Sequence, residues 1–141
     1  MEEHRLIGKR LESLRNLILQ MGGEAQLAVA RAMQAVVERN ADLAAEVLAH
    51  DDEIDKLELE IDREVVEIFA LLQPAARDLR FVIAVAKITP VLERIADHAG
   101  NIAASAIELF AGDSLAFVGP ATADATFAGL SVTLLGVRKS Q

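Results

Sequence analysis

Three stretches of this chain repeat apolar residues every three or four positions, the period of a helix with one buried face. The first runs from about residue 3 to 39 through Leu11, Leu14, Ile18, Met21, Ala25, Ala28, Ala32 and Val36. Gly22 and Gly23 fall in its middle, where a glycine pair costs about 1–2 kcal/mol relative to alanine. Either the helix breaks there, or it continues because another backbone packs close. The apolar positions keep phase across the pair, which predicts one long helix. The second stretch, about 42–73, carries Leu43, Val47, Ile54, Leu57, Ile61, Val65, Ile68 and Leu72. The third, about 79–110, carries Phe81, Val85, Ile88, Leu92, Ile95, Ala99, Ile102, Ala106 and Leu109. Its spacing alternates four and three without interruption, a heptad seam.

The connections are short. Asn40 can take the left-handed position after the first helix or cap the second. Pro74 disfavours helix at Gln73 and suits a first helical turn, so it closes the second helix and opens the third. Short connections make neighbouring helices antiparallel. The pattern predicts an all-α fold, an antiparallel three-helix bundle over about 3–110, forming a rod roughly 45 Å long. Pro90 removes a backbone hydrogen bond inside the third helix and predicts a kink before Glu93. Gly112 fits a helix stop after Phe110. The composition then changes: beyond Gly112 there is no Glu, and glycine recurs at Gly119, Gly129 and Gly136. Residues 1–111 are read as the bundle and 112–141 as an irregular tail. Replacing Leu92 or Ile95 by Asp is expected to unfold the bundle, because each would bury an unpaired charge.

At 141 residues the chain is about one domain. Hydrophobic residues make up 52% but aromatics only 4%, so aliphatic side chains must fill the core. A net charge of −8 argues against a nucleic-acid binder, which needs a basic footprint, and favours cations or basic partner surfaces. The absence of cysteine excludes disulfides and thiolate metal sites. The acidic start and the charges at Arg5, Lys9 and Arg10 do not read as a signal peptide. No apolar run reaches the ~18 residues of a membrane span. A cytoplasmic protein that is not membrane-embedded is expected.

The charge pattern carries the candidate chemistry. Asp51, Asp55, Glu58 and Asp62 form an acidic row beside the second seam, and Glu93 and Asp97 stand one turn apart on the third helix. From the heptad seam, the latter pair is expected on the face opposite the apolar stripe. Like charges at i and i+4 repel by roughly 0.2–0.5 kcal/mol, and a cation would reverse that sign. All-oxygen sites suit hard or borderline cations. The plain alternative is a solvated outer face. None of His4, His50 and His98 is taken as a ligand, and His50, near the second seam, is expected in or near the core. No nucleophile–base set or glycine-rich phosphate cradle is present, so an enzyme is not expected.

Five separated segments resemble the PhoU family of phosphate-uptake regulators. They are Met21-Gly22-Gly23, Asp51-Asp52-Glu53-Ile54-Asp55, Leu57-Glu58-Leu59-Glu60-Ile61-Asp62, Gln73-Pro74-Ala75-Ala76-Arg77-Asp78-Leu79-Arg80 and Leu92-Glu93-Arg94-Ile95-Ala96-Asp97. They come in the family's order and spacing, and the resemblance covers about residues 6–109. It implies two three-helix repeats and Glu/Asp-x-x-x-Asp motifs that bind multinuclear metal clusters. It also implies restraint of the phosphate-specific ABC transporter, through its ATPase, and of a phosphate-sensing histidine kinase. On this sequence the motifs fall on Glu58 and Asp62 and on Glu93 and Asp97, with Asp55 at a further acidic position. These five are the expected metal ligands, for divalent or trivalent ions such as Fe, Zn, Mn or Mg. The region after Gly112 matches nothing in the first repeat, so the resemblance is to one repeat, with the second missing or truncated.

Two further expectations follow. The competing reading is a helical interaction module without a metal or phosphate role. A homodimer is expected, because off-seam apolar residues such as Leu48, Leu59, Val66, Phe69, Ile83 and Val91 would form exposed patches. In that reading the two acidic pairs need not meet within one bundle, and a second subunit would complete a shared cluster.

Overall fold

The computed structural model describes residues 2–118, with side chains through 113. The chain divides into two compact units, Met1–Ile107 and Glu108–Gln141, and the bundle is the first. Its helices are α1 (Glu2–Glu38), α2 (Ala41–Ala49), α3 (Asp51–Glu67) and α4 (Ala76–Val118), with a π-helical turn at Ile68–Leu72. The fold is all-α. Two core clusters show how the helices run. Leu11 and Leu14 from the start of α1 meet Ile61, Val65 and Leu72 from the end of the second segment and Val82 and Val85 from the start of α4. Ala28, Ala32 and Ala35 from late α1 meet Ala44 and Val47 of α2 and Ala99 and Ala103 of α4. The middle segment therefore runs antiparallel to both long helices.

α1 continues through Gly22 and Gly23. No close backbone explains them: a Cβ at either position would meet nothing within 4 Å. α1 ends in a Schellman turn, with Arg39 taking the left-handed position (φ 53°). The Asn40 N–H reaches the Ala35 carbonyl at 2.9 Å and the Arg39 N–H the Val36 carbonyl at 3.3 Å. Asn40 is thereby released to cap α2, its Oδ1 accepting the Leu43 N–H at 3.0 Å.

The second stretch is not one helix. It breaks at His50, the residue shared by the ends of α2 and α3. The break places Asp51, Asp52 and Glu53 in the first turn of α3, where the helix dipole favours negative charge. The apolar pattern carried a sign of it, since the seam skips a turn between Val47 and Ile54. His50 is not a core residue. It is half-buried, and its Nε2 lies 3.0 Å from Glu24 Oε2, fastening α1 to the break. At the other end of the bundle Arg10 Nη1 donates to both Glu64 oxygens at 2.9 and 2.7 Å, and Nη2 donates to Glu67 at 3.1 Å. The Glu64 hydrogen bond is the main cause of the raised Arg10 pKa.

α4 shows the largest departure from the sequence pattern. The residues it buries are Val82, Val85, Thr89, Ala96, Ala99, Ala103 and Ala106. Ile88, Ile95 and Leu109 of the expected seam are exposed, while Phe81 and Leu92 are half-buried against the core. The buried stripe is rotated because alanines and a threonine fit between closely packed helices, leaving larger residues at the edge. Thr89 tolerates burial because its Oγ1 donates to the Val85 carbonyl at 2.8 Å. α4 runs through Pro90, and Gly112 does not stop it, since the helix continues to Val118. The rest of the expected irregular tail lies outside the described residues.

Candidate functional site: an acidic flank between two helices

Rotating the buried stripe of α4 also moves its acidic pair. With Thr89 and Ala96 in the core, Glu93 is half-buried and Asp97 sits one turn further along the same edge. The pair therefore does not lie opposite the apolar stripe; it borders it, on the side of α3. α3 buries Ile54, Leu57, Ile61 and Val65, which places Asp51, Asp55, Glu58 and Asp62 along one of its flanks. The two rows meet within a single chain.

Their electrostatics show the meeting. Burial, then repulsion from Glu93, Asp62 and Asp55, raises the Glu58 carboxyl above its ordinary range. Burial, then repulsion from Asp55, Asp97 and Asp52, does the same to Asp51. Glu58 thus feels Glu93, and seven residues earlier Asp51 feels Asp97, the register of an antiparallel pair. The sequence left open whether the two pairs approach within one bundle; here Glu58 and Asp51 each feel an α4 carboxylate of the same chain. Asp51 belonged to the acidic row but not to the expected ligand set, and only its position across from Asp97 draws it in. The cations of α3 do not neutralise the flank: Lys56 pairs with Glu53 at 3.3 Å, and among the described residues Arg63 makes no ion pair.

The donor set is entirely carboxylate, the chemistry that hard cations select. As arranged, no three His, Cys, Asp or Glu side chains among the described residues form a ready metal-binding group. The residues match a cation in charge and donor type alone.

A helical bundle with a carboxylate-lined flank between α3 and α4 is the class of protein defined here. The PhoU domain family matches residues 18–106, more than half of the chain, and the chain belongs to that family. The phosphate-specific transport system accessory protein PhoU homolog of Zymomonas mobilis is 46% identical over 93 residues, 66% of this chain and 39% of that protein. The Aquifex aeolicus homolog is 42% identical over 101 residues, 72% of this chain and 46% of that protein. The crystal structure of PhoU from Pseudomonas aeruginosa aligns with a TM-score of 0.72 at 40% identity, covering 74% of this chain and 50% of that one. The chain thus spans half or less of the length of these relatives. Among the described residues no helix is long and apolar enough to cross a membrane.

Proposed function

We propose that this chain is a regulatory, non-catalytic adaptor of phosphate uptake, acting in the cytoplasm on the ATPase of a phosphate ABC transporter and on a phosphate-sensing histidine kinase. The family match supports the transport role, since the relatives are named as accessory proteins of the phosphate-specific transport system. The single observation that supports the site is the approach of the α4 acidic pair to α3, where burial and then the nearby Glu93 carboxylate raise Glu58. On this reading Asp55, Glu58, Asp62, Glu93 and Asp97 hold divalent or trivalent metal ions such as Fe, Zn, Mn or Mg. A bound cation would neutralise the flank and turn it from a surface that repels acidic partners into one that accepts them.

A pull-down with the full chain from phosphate-replete cells tests the docking; the transporter ATPase or the sensor kinase should be recovered. Recovery of neither would leave a helical interaction module without a phosphate role. Elemental analysis of protein purified without chelator tests the metal. Absence of bound metal, with no thermal shift on adding Mn²⁺ or Zn²⁺, would overturn that part alone.

A further inference from the structure

The side of α4 turned away from the core carries the opposite charge to the acidic flank. Arg80, Lys87 and Arg94 follow one another at seven-residue intervals and are all exposed; that spacing is about 10.5 Å along a helix. With Val82, Val85, Thr89 and Ala96 in the core, their phase places them on the outer side of α4. None of the three makes an ion pair among the described residues, whereas Arg10, Arg15 and Lys56 each do. Ile83 and Val91 share this side, one on each edge of the cationic row, and are 39% and 48% exposed. From Leu79 to Ala96 the only carboxylate is Glu93, which borders α3. The outer side of this stretch is therefore cationic and apolar, in a chain whose net charge is −8.

Charge decides which occupant fits. Residues 114–141 of the chain carry one carboxylate side chain, Asp124, against Arg138 and Lys139, so they cannot supply an acidic row. The acidic rows of α3 and α4 already face one another within the chain. An anionic membrane or a nucleic acid is broad enough to meet Glu93 and Asp97 as well, and the net charge opposes both. A single helix is only about 10–12 Å across and can lie on the cationic row alone. Two helices side by side stay in register when their contacting residues recur every seven positions. Carboxylates at that spacing would meet Arg80, Lys87 and Arg94 in turn, and apolar residues beside them would cover Ile83 and Val91.

We propose that the outer side of α4, with Arg80, Lys87 and Arg94 in a row between Ile83 and Val91, docks an acidic amphipathic helix of a partner protein whose carboxylates recur every seven residues. The proposal deepens the adaptor reading by naming the docking surface and the chemistry of what docks there, and it rests on that reading only for the partner's role in phosphate uptake. Exposed ion pairs are individually weak, so the charges set register and encounter rate while the apolar contact adds affinity. The acidic flank toward α3 stays open when the helix is bound.

Fluorescence anisotropy with the full chain tests it. The probe is a labelled synthetic helical peptide, about four heptads long, with Glu at one heptad position and Leu at the positions beside it. Binding should weaken as salt rises and should be about tenfold or more tighter than that of a peptide with the same residues scrambled. The variant Arg80→Glu, Lys87→Glu, Arg94→Glu changes exposed residues only. It should keep its helix content by circular dichroism, lose about tenfold or more in affinity for the Glu peptide, and bind a peptide with Lys in place of Glu better than the wild type does. The neutral variant Arg80→Gln, Lys87→Gln, Arg94→Gln should lose affinity in the same direction. Lys56→Glu, Arg63→Glu, the same reversal of charge on α3, should leave binding unchanged. No binding of the Glu peptide, equal binding of its scrambled form, or equal loss in the α3 variant overturns the proposal. So does wild-type binding to phosphatidylglycerol vesicles that depends on Arg80, Lys87 and Arg94, which would give the face to a membrane. Sedimentation showing a dimer that the charge-reversed variant loses would give it to a second copy, and overturns the proposal as well. Peptide binding with no transporter ATPase or kinase recovered from cells would remove the phosphate role and leave the surface. Recovery of either, undiminished in the charge-reversed variant, would leave the role and remove the surface.

Discussion

The two flanks of α4 share a helix and differ in almost everything else. Toward α3 the helix presents Glu93 and Asp97 to a second acidic row, and burial and repulsion raise the carboxyls of Glu58 and Asp51. Toward α1 it presents Phe81, Ile88 and Ile95, with Arg15 of α1 stacked on Phe81. The first flank sets carboxylates of two helices close enough to repel. The second leaves Ile88 and Ile95 partly in water.

The largest effect separates neighbours. Ala96 is 3% exposed and Ile95 38%. Ala96→Asp should unfold the bundle, since burying an unpaired carboxylate costs at least about 3 kcal/mol. Ile95→Asp should remain folded, losing less than about 1 kcal/mol. Circular dichroism melts of both decide it, and equal loss in the two would restore the heptad seam as the buried stripe.

Metal addition comes next. At a hundred times its dissociation constant, Mn²⁺ or Zn²⁺ should stabilise the protein by about 2.7 kcal/mol. The shift should vanish in Glu93→Ala, Asp97→Ala. A thermal shift retained in that variant would place the cation elsewhere.

A smaller effect concerns α1. Gly23→Ala should raise the melting temperature of the dilute chain, by about 0.5–1 kcal/mol of stability, through helix propensity alone. A fall would mean that the chain itself packs against Gly23, where a Cβ meets nothing within 4 Å.

The smallest effect reads the acidic flank directly. In chelator, Glu58→Gln should stabilise the protein by about 0.2–0.5 kcal/mol, the scale of one like-charge pair removed. The pH dependence has the same origin. The Glu58 and Asp51 pKa values are raised in the folded state, so the folded chain binds more protons than the unfolded one just above the ordinary carboxylate range. Their penalty is present at neutral pH and is relieved as pH falls through the raised values. Melts of the chelated wild type at about pH 7 and about pH 5 should show that gain, and Glu58→Gln should show less of it.

Much of this was legible in the residues. The in-phase positions from Leu11 to Ala32 marked α1 through its glycines, and Ile54 to Val65 marked the buried side of α3. The Glu/Asp-x-x-x-Asp spacing singled out Glu58, Asp62, Glu93 and Asp97. The break at His50 was less visible, because its sign was one skipped turn in a seam that otherwise kept its spacing. The reading of α4 failed for a clear reason. Large apolar residues mark a stripe more loudly than alanines do, so Phe81, Ile88 and Ile95 drew attention from Val82, Thr89, Ala96 and Ala103.

The sequence by itself determined three helical segments, their antiparallel order and which residues carry negative charge, because period, turn residues and side-chain chemistry are local properties. Only the tertiary structure decided which edge of α4 faces α3. That choice depends on how closely two helix backbones approach, which small residues at the contact permit and no single helix encodes. It brought Glu93 to Glu58 and Asp97 to Asp51 within one chain, and it left Ile88 and Ile95 on the opposite edge partly in water.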